Sequence, residues 1–296
     1  MNLFSSLVTR FSRRNGGGVS AKSLTEGACG PWSGPLRRGL RLQAQTSAAP
    51  PPPYRTACSQ GRRIAFLFLA VLALSACATV PQTHLATGAT PGTVAMADGT
   101  SIQYETYIPA GYHGGKAPLL IFLHGSGEAG NDVTAVMGPG PWQYAKDHPD
   151  FPFIIVAPQQ PRDEEWDPQR LKAWLDEVET RLPVDKHRVY LTGLSLGGGG
   201  SWDWAMKEPK RFAAIAPVSG YSNLKTPCAM KGDHVWAFHG EIDDQVPIAD
   251  EQTIVDAAKA CGVDVKYTIY PRGNHNAWDA TYANPELYAW LLSHKN

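Results

Sequence analysis

Four short segments carry the residue types that nucleophilic chemistry needs. Gly193-Leu194-Ser195-Leu196-Gly197 is a G-x-S-x-G pattern, placed after the apolar run Val189-Tyr190-Leu191-Thr192 and before a stretch of helical character. A strand-to-helix turn at that point strains the serine backbone, and glycine on either side removes the Cβ atoms that would clash. A serine hydroxyl is a weak nucleophile until a base takes its proton. His275, in Pro271-Arg272-Gly273-Asn274-His275 beyond the last apolar run, is the candidate base. A carboxylate must then hold the imidazole tautomer and stabilise the imidazolium. Asp243, in His239-Gly240-Glu241-Ile242-Asp243-Asp244, is the candidate; Asp244 is the alternative, with helix capping as its other role.

The fourth segment is His124-Gly125-Ser126-Gly127, after Leu119-Leu120-Ile121-Phe122-Leu123. A tight turn there can aim one backbone N–H at a developing oxyanion, with the Leu196 N–H as the second donor. Among residues 125–127 the choice falls on Ser126. His124 reads as a structural member of the turn, His239 as a loop residue, and His294 as a poor rival to His275. The remaining histidines show no HExxH or paired spacing, so a metal site is not expected.

These segments need elements to position them. Candidate strands lie at 93–96, 101–108, 118–123, 153–157, 188–192, 213–217, 234–238 and 265–270. Several are continuously apolar, as in strands buried on both faces of a parallel sheet. Helical candidates at about 142–147, 168–182, 196–206, 248–260 and 284–294 alternate with them. In the second helix, Leu171, Trp174, Leu175, Val178 and Leu182 recur at helical spacing and read as core. Gly198, Gly199 and Gly200 each cost about 1 kcal/mol of helix propensity, and close packing of helix on sheet explains them. The pattern predicts an α/β fold with a mostly parallel central sheet and helices on both faces. A small N-terminal hairpin around Asp98-Gly99 precedes it.

The order Ser195, Asp243, His275 is that of the α/β-hydrolases. Residues 90–296 resemble bacterial carboxylesterases and predicted peptidases of that superfamily, above all its phospholipase/carboxylesterase and dienelactone-hydrolase-like groups. Polyhydroxybutyrate-depolymerase-like esterases are further off. The likeness is carried by the segments LHGSGEAGND, GLSLGGGGSWDWA, WAFHGEIDDQVP and YPRGNHNAWDATY. It implies ester hydrolysis without a cofactor, on a small-molecule ester. Serine peptidase, polyester depolymerase and a non-catalytic envelope-binding lipoprotein are the rivals. Trp142, Trp202 and Trp278, with Trp166 beside them, could form an aromatic wall favouring apolar or aromatic acyl groups; core packing is the other reading for each. Little room for a lid between Pro217 and His234 points to an open cleft taking short-chain or aryl esters.

Charge and cysteines bound the setting. Of 27 bases and 27 acids, ten bases and one acid lie in residues 1–63, so residues 64–296 hold 17 against 26, a net −9. Such a surface does not suit nucleic acid. Residues 62–77 read as a secretory signal: Arg62-Arg63, a short apolar run, then Leu74-Ser75-Ala76-Cys77. That ending resembles the bacterial lipobox, implying lipidation of Cys77 and a membrane-anchored lipoprotein facing the periplasm or the outside. An ordinary signal peptide is the alternative. Residues 1–61 read as a disordered leader or a mis-called start, and 78–89 as a linker. Cys228 and Cys261 form a disulfide or remain two buried thiols.

Overall fold

The computed structural model describes residues 85–222 and 224–296. The leader, the signal run and Cys77 lie outside the described residues.

Eight strands form one sheet. They are β1 (Gly88–Ala95), β2 (Ser101–Ile108), β3 (Ala117–Leu123), β4 (Ile154–Pro158), β5 (Val184–Leu194), β6 (Ala214–Val218), β7 (His234–Gly240) and β8 (Asp264–Tyr270). Their order across the sheet is β1-β2-β4-β3-β5-β6-β7-β8. β1 and β2 are an antiparallel hairpin that joins the sheet antiparallel to β4, and every later pairing is parallel. The hairpin turns where expected: Gly99 takes φ +83°, and Asp98 accepts the Thr100 N–H at 2.9 Å.

Alternation within the strands divides the core in two. Leu119, Ile121 and Leu123 of β3 join one apolar cluster, and Leu120 and Phe122 join the other. The first cluster is closed by α2 (Pro168–Arg181), α3 (Leu196–Lys207) and α4 (Ile248–Ala260), through Leu171, Trp174, Trp202, Trp204, Ile254 and Val255. The second is closed by α1 (Trp142–Asp147), α5 (Trp278–Tyr282) and α6 (Pro285–Leu292), through Trp142, Tyr282, Leu287 and Leu291. α2 begins on an Asp167 cap that accepts the Gln169 N–H at 2.9 Å, with Pro168 in the first turn. The stretch expected as one helix from 284 starts on an Asn284 cap, and the separate short α5 precedes it.

Among the described residues, no helix is long and apolar enough to cross a membrane. The edge strand β8 is the least buried of the parallel strands, and Lys266 on it holds its ammonium 3.2 Å from the centre of the Trp236 ring. A charge along a sheet edge discourages strand addition by another chain. Cys228, in the 3₁₀ turn Pro227–Met230, is joined to Cys261 at the end of α4, with a Cα separation of 5.1 Å.

Candidate active site

The candidate nucleophile stands where β5 becomes α3. Ser195 has φ 52° and ψ −116°, a left-handed backbone that costs a residue with a Cβ about 1–3 kcal/mol. The surroundings hold it there. Its N–H donates to the Val218 carbonyl of β6 at 2.9 Å, and its carbonyl accepts the Gly199 N–H at 3.0 Å. A Cβ on Gly193 would stand 2.8 Å from the Leu123 carbonyl oxygen, and one on Gly197 would collide with the Leu123 backbone. The run Gly198–Gly200 continues the close approach: a Cβ on Gly198 would reach the Val218 carbonyl at 2.5 Å, and one on Gly200 the Trp166 ring at 2.6 Å.

Three loops converge on this turn. The Ser195 hydroxyl donates to His275 Nε2 across 2.9 Å, and His275 Nδ1 donates to Asp243 Oδ2 across 2.8 Å. The other carboxylate oxygen, Asp243 Oδ1, accepts the Gln245 and Val246 N–H groups at 2.9 Å each. The Asp243 side chain is fully buried, so its orientation is set by these bonds. Asp244 is exposed and caps nothing; Pro247 occupies the cap of α4 without a side-chain bond. The Ser219 hydroxyl donates to the His275 carbonyl at 3.0 Å, and Trp278 meets the His275 ring edge-on at 5.2 Å. His294 lies past α6, far along the chain from this convergence.

The turn after β3 brings Ser126 into the same cavity as Ser195 and Leu196. Gly125 is occupied otherwise, because its N–H donates to Glu128 Oε2 at 3.0 Å. His124 is fully buried, and its partners define its tautomer. Nδ1–H donates to the Gly125 carbonyl at 2.7 Å, while Nε2 accepts the Gln160 N–H at 3.1 Å. Burial holds this imidazole below its ordinary pKa.

His239 is not the loop residue the sequence suggests. It is the penultimate residue of β7 and fully buried. Its Nε2–H donates to the Val246 carbonyl at 2.9 Å and lies 3.3 Å from Asp243 Oδ2, the oxygen that also receives His275. Its Nδ1 faces Glu251 Oε2 at 2.6 Å, and Glu251 Oε1 accepts the Trp202 indole N–H at 2.8 Å. Burial pushes the Glu251 carboxyl up. Burial works against the His239 imidazolium, but the hydrogen bond and charge of Glu251 outweigh it and hold this group above its usual value. Glu251 lies four residues beyond Pro247 on α4, and no motif marks it.

The aromatic wall does not form. Trp142 and Trp202 are fully buried: Trp142 donates to the Val136 carbonyl at 2.9 Å, and Trp202 is committed to Glu251. Trp278 is half-buried and lines a cavity of about 530 Å³ with Gly140 and Tyr282. The cavity that contains Ser195 measures about 490 Å³, and its rim is polar: Arg162, Asp163, Glu164, Glu165 and Tyr221. The Tyr221 hydroxyl donates to Glu165 Oε2 at 3.2 Å; burial first, then the Glu165 charge, push its pKa up to about 12. Glu164 and Glu165 also line an adjoining groove of about 290 Å³, against which Trp166 is packed.

Sheet order, helices on both faces and a Ser-Asp-His arrangement on post-strand loops define a class: the chain belongs to the α/β-hydrolase superfamily. Comparison with known proteins agrees. Residues 201–295 match the prolyl oligopeptidase family. A probable feruloyl esterase C of Aspergillus terreus is 30% identical over 155 residues, covering 49% of this chain and 56% of its own. Feruloyl esterase C of Emericella nidulans is 30% identical over 165 residues, covering 52% and 59%. The chain thus spans little more than half the length of the curated relatives it matches. A solved thermostable esterase superposes with a TM-score of 0.62 at 29% identity, over 70% of this chain and 63% of that one.

Proposed function

We propose that the protein is a serine carboxylesterase that hydrolyses short-chain or aryl carboxylic esters through an acyl-enzyme. The observation that carries this reading is the hydrogen-bonded line from Ser195 through His275 to Asp243, at 2.9 and 2.8 Å. As Ser195 Oγ bonds to the ester carbonyl carbon, its proton passes to His275 Nε2, and Asp243 stabilises the imidazolium. The carbonyl oxygen, now negative, is held by the N–H groups of Leu196 and Ser126. Collapse breaks the bond to the alcohol, which leaves with the His275 proton. Water then repeats the sequence on the acyl-serine and returns the enzyme. The likeness to two feruloyl esterases supports aryl acyl groups.

Nitrophenyl esters of rising chain length and a methyl hydroxycinnamate test this. Turnover by the wild type should fall by about 10⁴- to 10⁶-fold in Ser195→Ala. Equal inertness of both proteins on every ester would remove the esterase reading. The match of residues 201–295 to the prolyl oligopeptidase family favours a second reading, a serine peptidase on the same triad. Turnover of aminoacyl nitroanilides but not of esters would select it. Covalent labelling of Ser195 by a fluorophosphonate excludes a purely binding role.

Export and anchoring at Cys77 belong to the same proposal. They rest on the Leu74-Ser75-Ala76-Cys77 motif, and the Cys228–Cys261 pair suits an oxidising compartment. Membrane fractionation of the full chain and Cys77→Ala checks this: the variant should move to the soluble fraction.

A further inference from the structure

We propose that His234, Asp264 and His294 form a binding site for one divalent transition-metal cation, at the end of the sheet opposite the candidate active site. His234 opens β7 and Asp264 opens β8, and the two are register partners on neighbouring parallel strands. Ser195, Asp243 and His275 follow the carboxyl ends of their strands, so the strand starts lie at the far end of the sheet. His294 comes from the chain just beyond α6 and closes the group. One ligand atom from each residue lies within 4.8 Å of the other two. Thirty residues separate each member from the next, so no sequence motif announces the group.

The donor chemistry is that of zinc, nickel or copper: two imidazoles and a carboxylate, with positions left for water. The outer contacts are also of the kind that metal-ligating histidines show, where the second ring nitrogen donates to a carbonyl or carboxylate. His294 Nδ1–H donates to the Trp290 carbonyl at 2.8 Å, with the Ser293 hydroxyl 3.2 Å away, which leaves Nε2 as its free donor atom. The His294 backbone is pinned as well, since its carbonyl accepts the Tyr190 hydroxyl at 2.9 Å and its N–H donates to the Leu291 carbonyl at 3.1 Å. The His234 and His294 rings already stand 4.3 Å apart, centre to centre. His234 Nδ1 donates to Asp264 Oδ2 at 2.8 Å. A cation entering between them takes the place of that Nδ1 proton, which moves to Nε2 as the His234 ring changes tautomer and remains a neutral imidazole ligand. The side chains are 39% and 71% exposed, so entry needs no opening of the core. A bound ion ties β7, β8 and the C-terminal segment together, and its consequence is stability rather than turnover.

The test uses the full chain without a histidine tag, stripped with chelator and titrated with ZnCl₂ by calorimetry. The expected result is one saturable site per chain, weakened at least about tenfold in His234→Ala, His294→Ala and Asp264→Asn. Zinc should raise the melting temperature of the wild type while nitrophenyl-ester turnover stays unchanged. Cu²⁺ supplies an independent readout: it should quench tryptophan fluorescence in the wild type, because Trp290 lies 4.7 Å from His294 and Trp236 lies 5.5 Å from Trp290. All three positions are at the surface, and melting curves in chelator will verify that the variants fold. Three outcomes overturn the proposal. They are no saturable binding, equal binding in the His234→Ala/His294→Ala double variant, or binding abolished by His275→Ala instead.

Discussion

Asp243 carries two burdens through one carboxylate. Oδ1 is spent on the Gln245 and Val246 N–H groups, and Oδ2 faces both His275 and His239. Replacing it with Asn leaves an amide that no longer enforces the reactive His275 tautomer, and kcat should fall about 10⁴-fold. Steady-state kinetics on a nitrophenyl ester, with the melting temperature as a folding control, measures this. Behind it, Glu251 and His239 share a hydrogen-bonded contact in a fully buried setting. Removing one partner of such a pair leaves the other without compensation, at about 3–5 kcal/mol. Urea unfolding of Glu251→Ala should show that loss, and a change under about 1 kcal/mol would mean that the pair is dispensable.

At the scale of elements, the candidate site is a set of strand ends. β5, β7 and β8 each deliver one member of the candidate triad, and β3 delivers the turn holding Ser126. α3 can approach the sheet this closely because Gly197 and Gly198 present no side chain to the Leu123 and Val218 backbones. The Cys228–Cys261 link ties the turn after β6 to the end of α4, the helix that supplies Glu251. It closes a loop with a sequence separation of 33, for which chain entropy gives about 3–4 kcal/mol of stabilisation. Unfolding in urea with and without reductant should differ by about that amount, and the Cys228→Ser/Cys261→Ser variant should match the reduced protein.

For the molecule as a whole, pH enters through a buried histidine. His124 is neutral in the fold, with Nδ1 donating and Nε2 accepting, and burial depresses its pKa. The unfolded chain binds a proton here at about pH 6.5, which the folded chain resists. Stability is therefore full above that value and is lost as pH falls from about 6.5 towards the lower folded pKa. Melting temperatures of wild type and His124→Gln from pH 7.5 down to 5 should diverge in slope. The wild type should fall more steeply, and parallel curves would exclude His124 as the source.

Sequence by itself determined the parts of this protein that depend on local pattern. Continuous apolar runs are what strands buried on both faces require, and β3, β4, β5 and β7 were legible from them, whereas the order of the strands across the sheet was not. The meeting of Ser195, Asp243 and His275 was legible because each follows a strand, and the fold collects the ends of strands. Tertiary structure decided what depends on which face a residue turns to. Trp142 and Trp202 face the sheet rather than the cleft, and helical spacing alone does not say which side of the sheet a helix will cover. The polar rim of Arg162, Glu165 and Tyr221 comes from loops whose course has no periodicity to read. His239 beside Glu251, and His234 beside Asp264 and His294, are neighbours only because strand register and helix packing bring distant residues together. Contacts of that kind are set by the packing of the whole chain, so no local stretch of sequence encodes them.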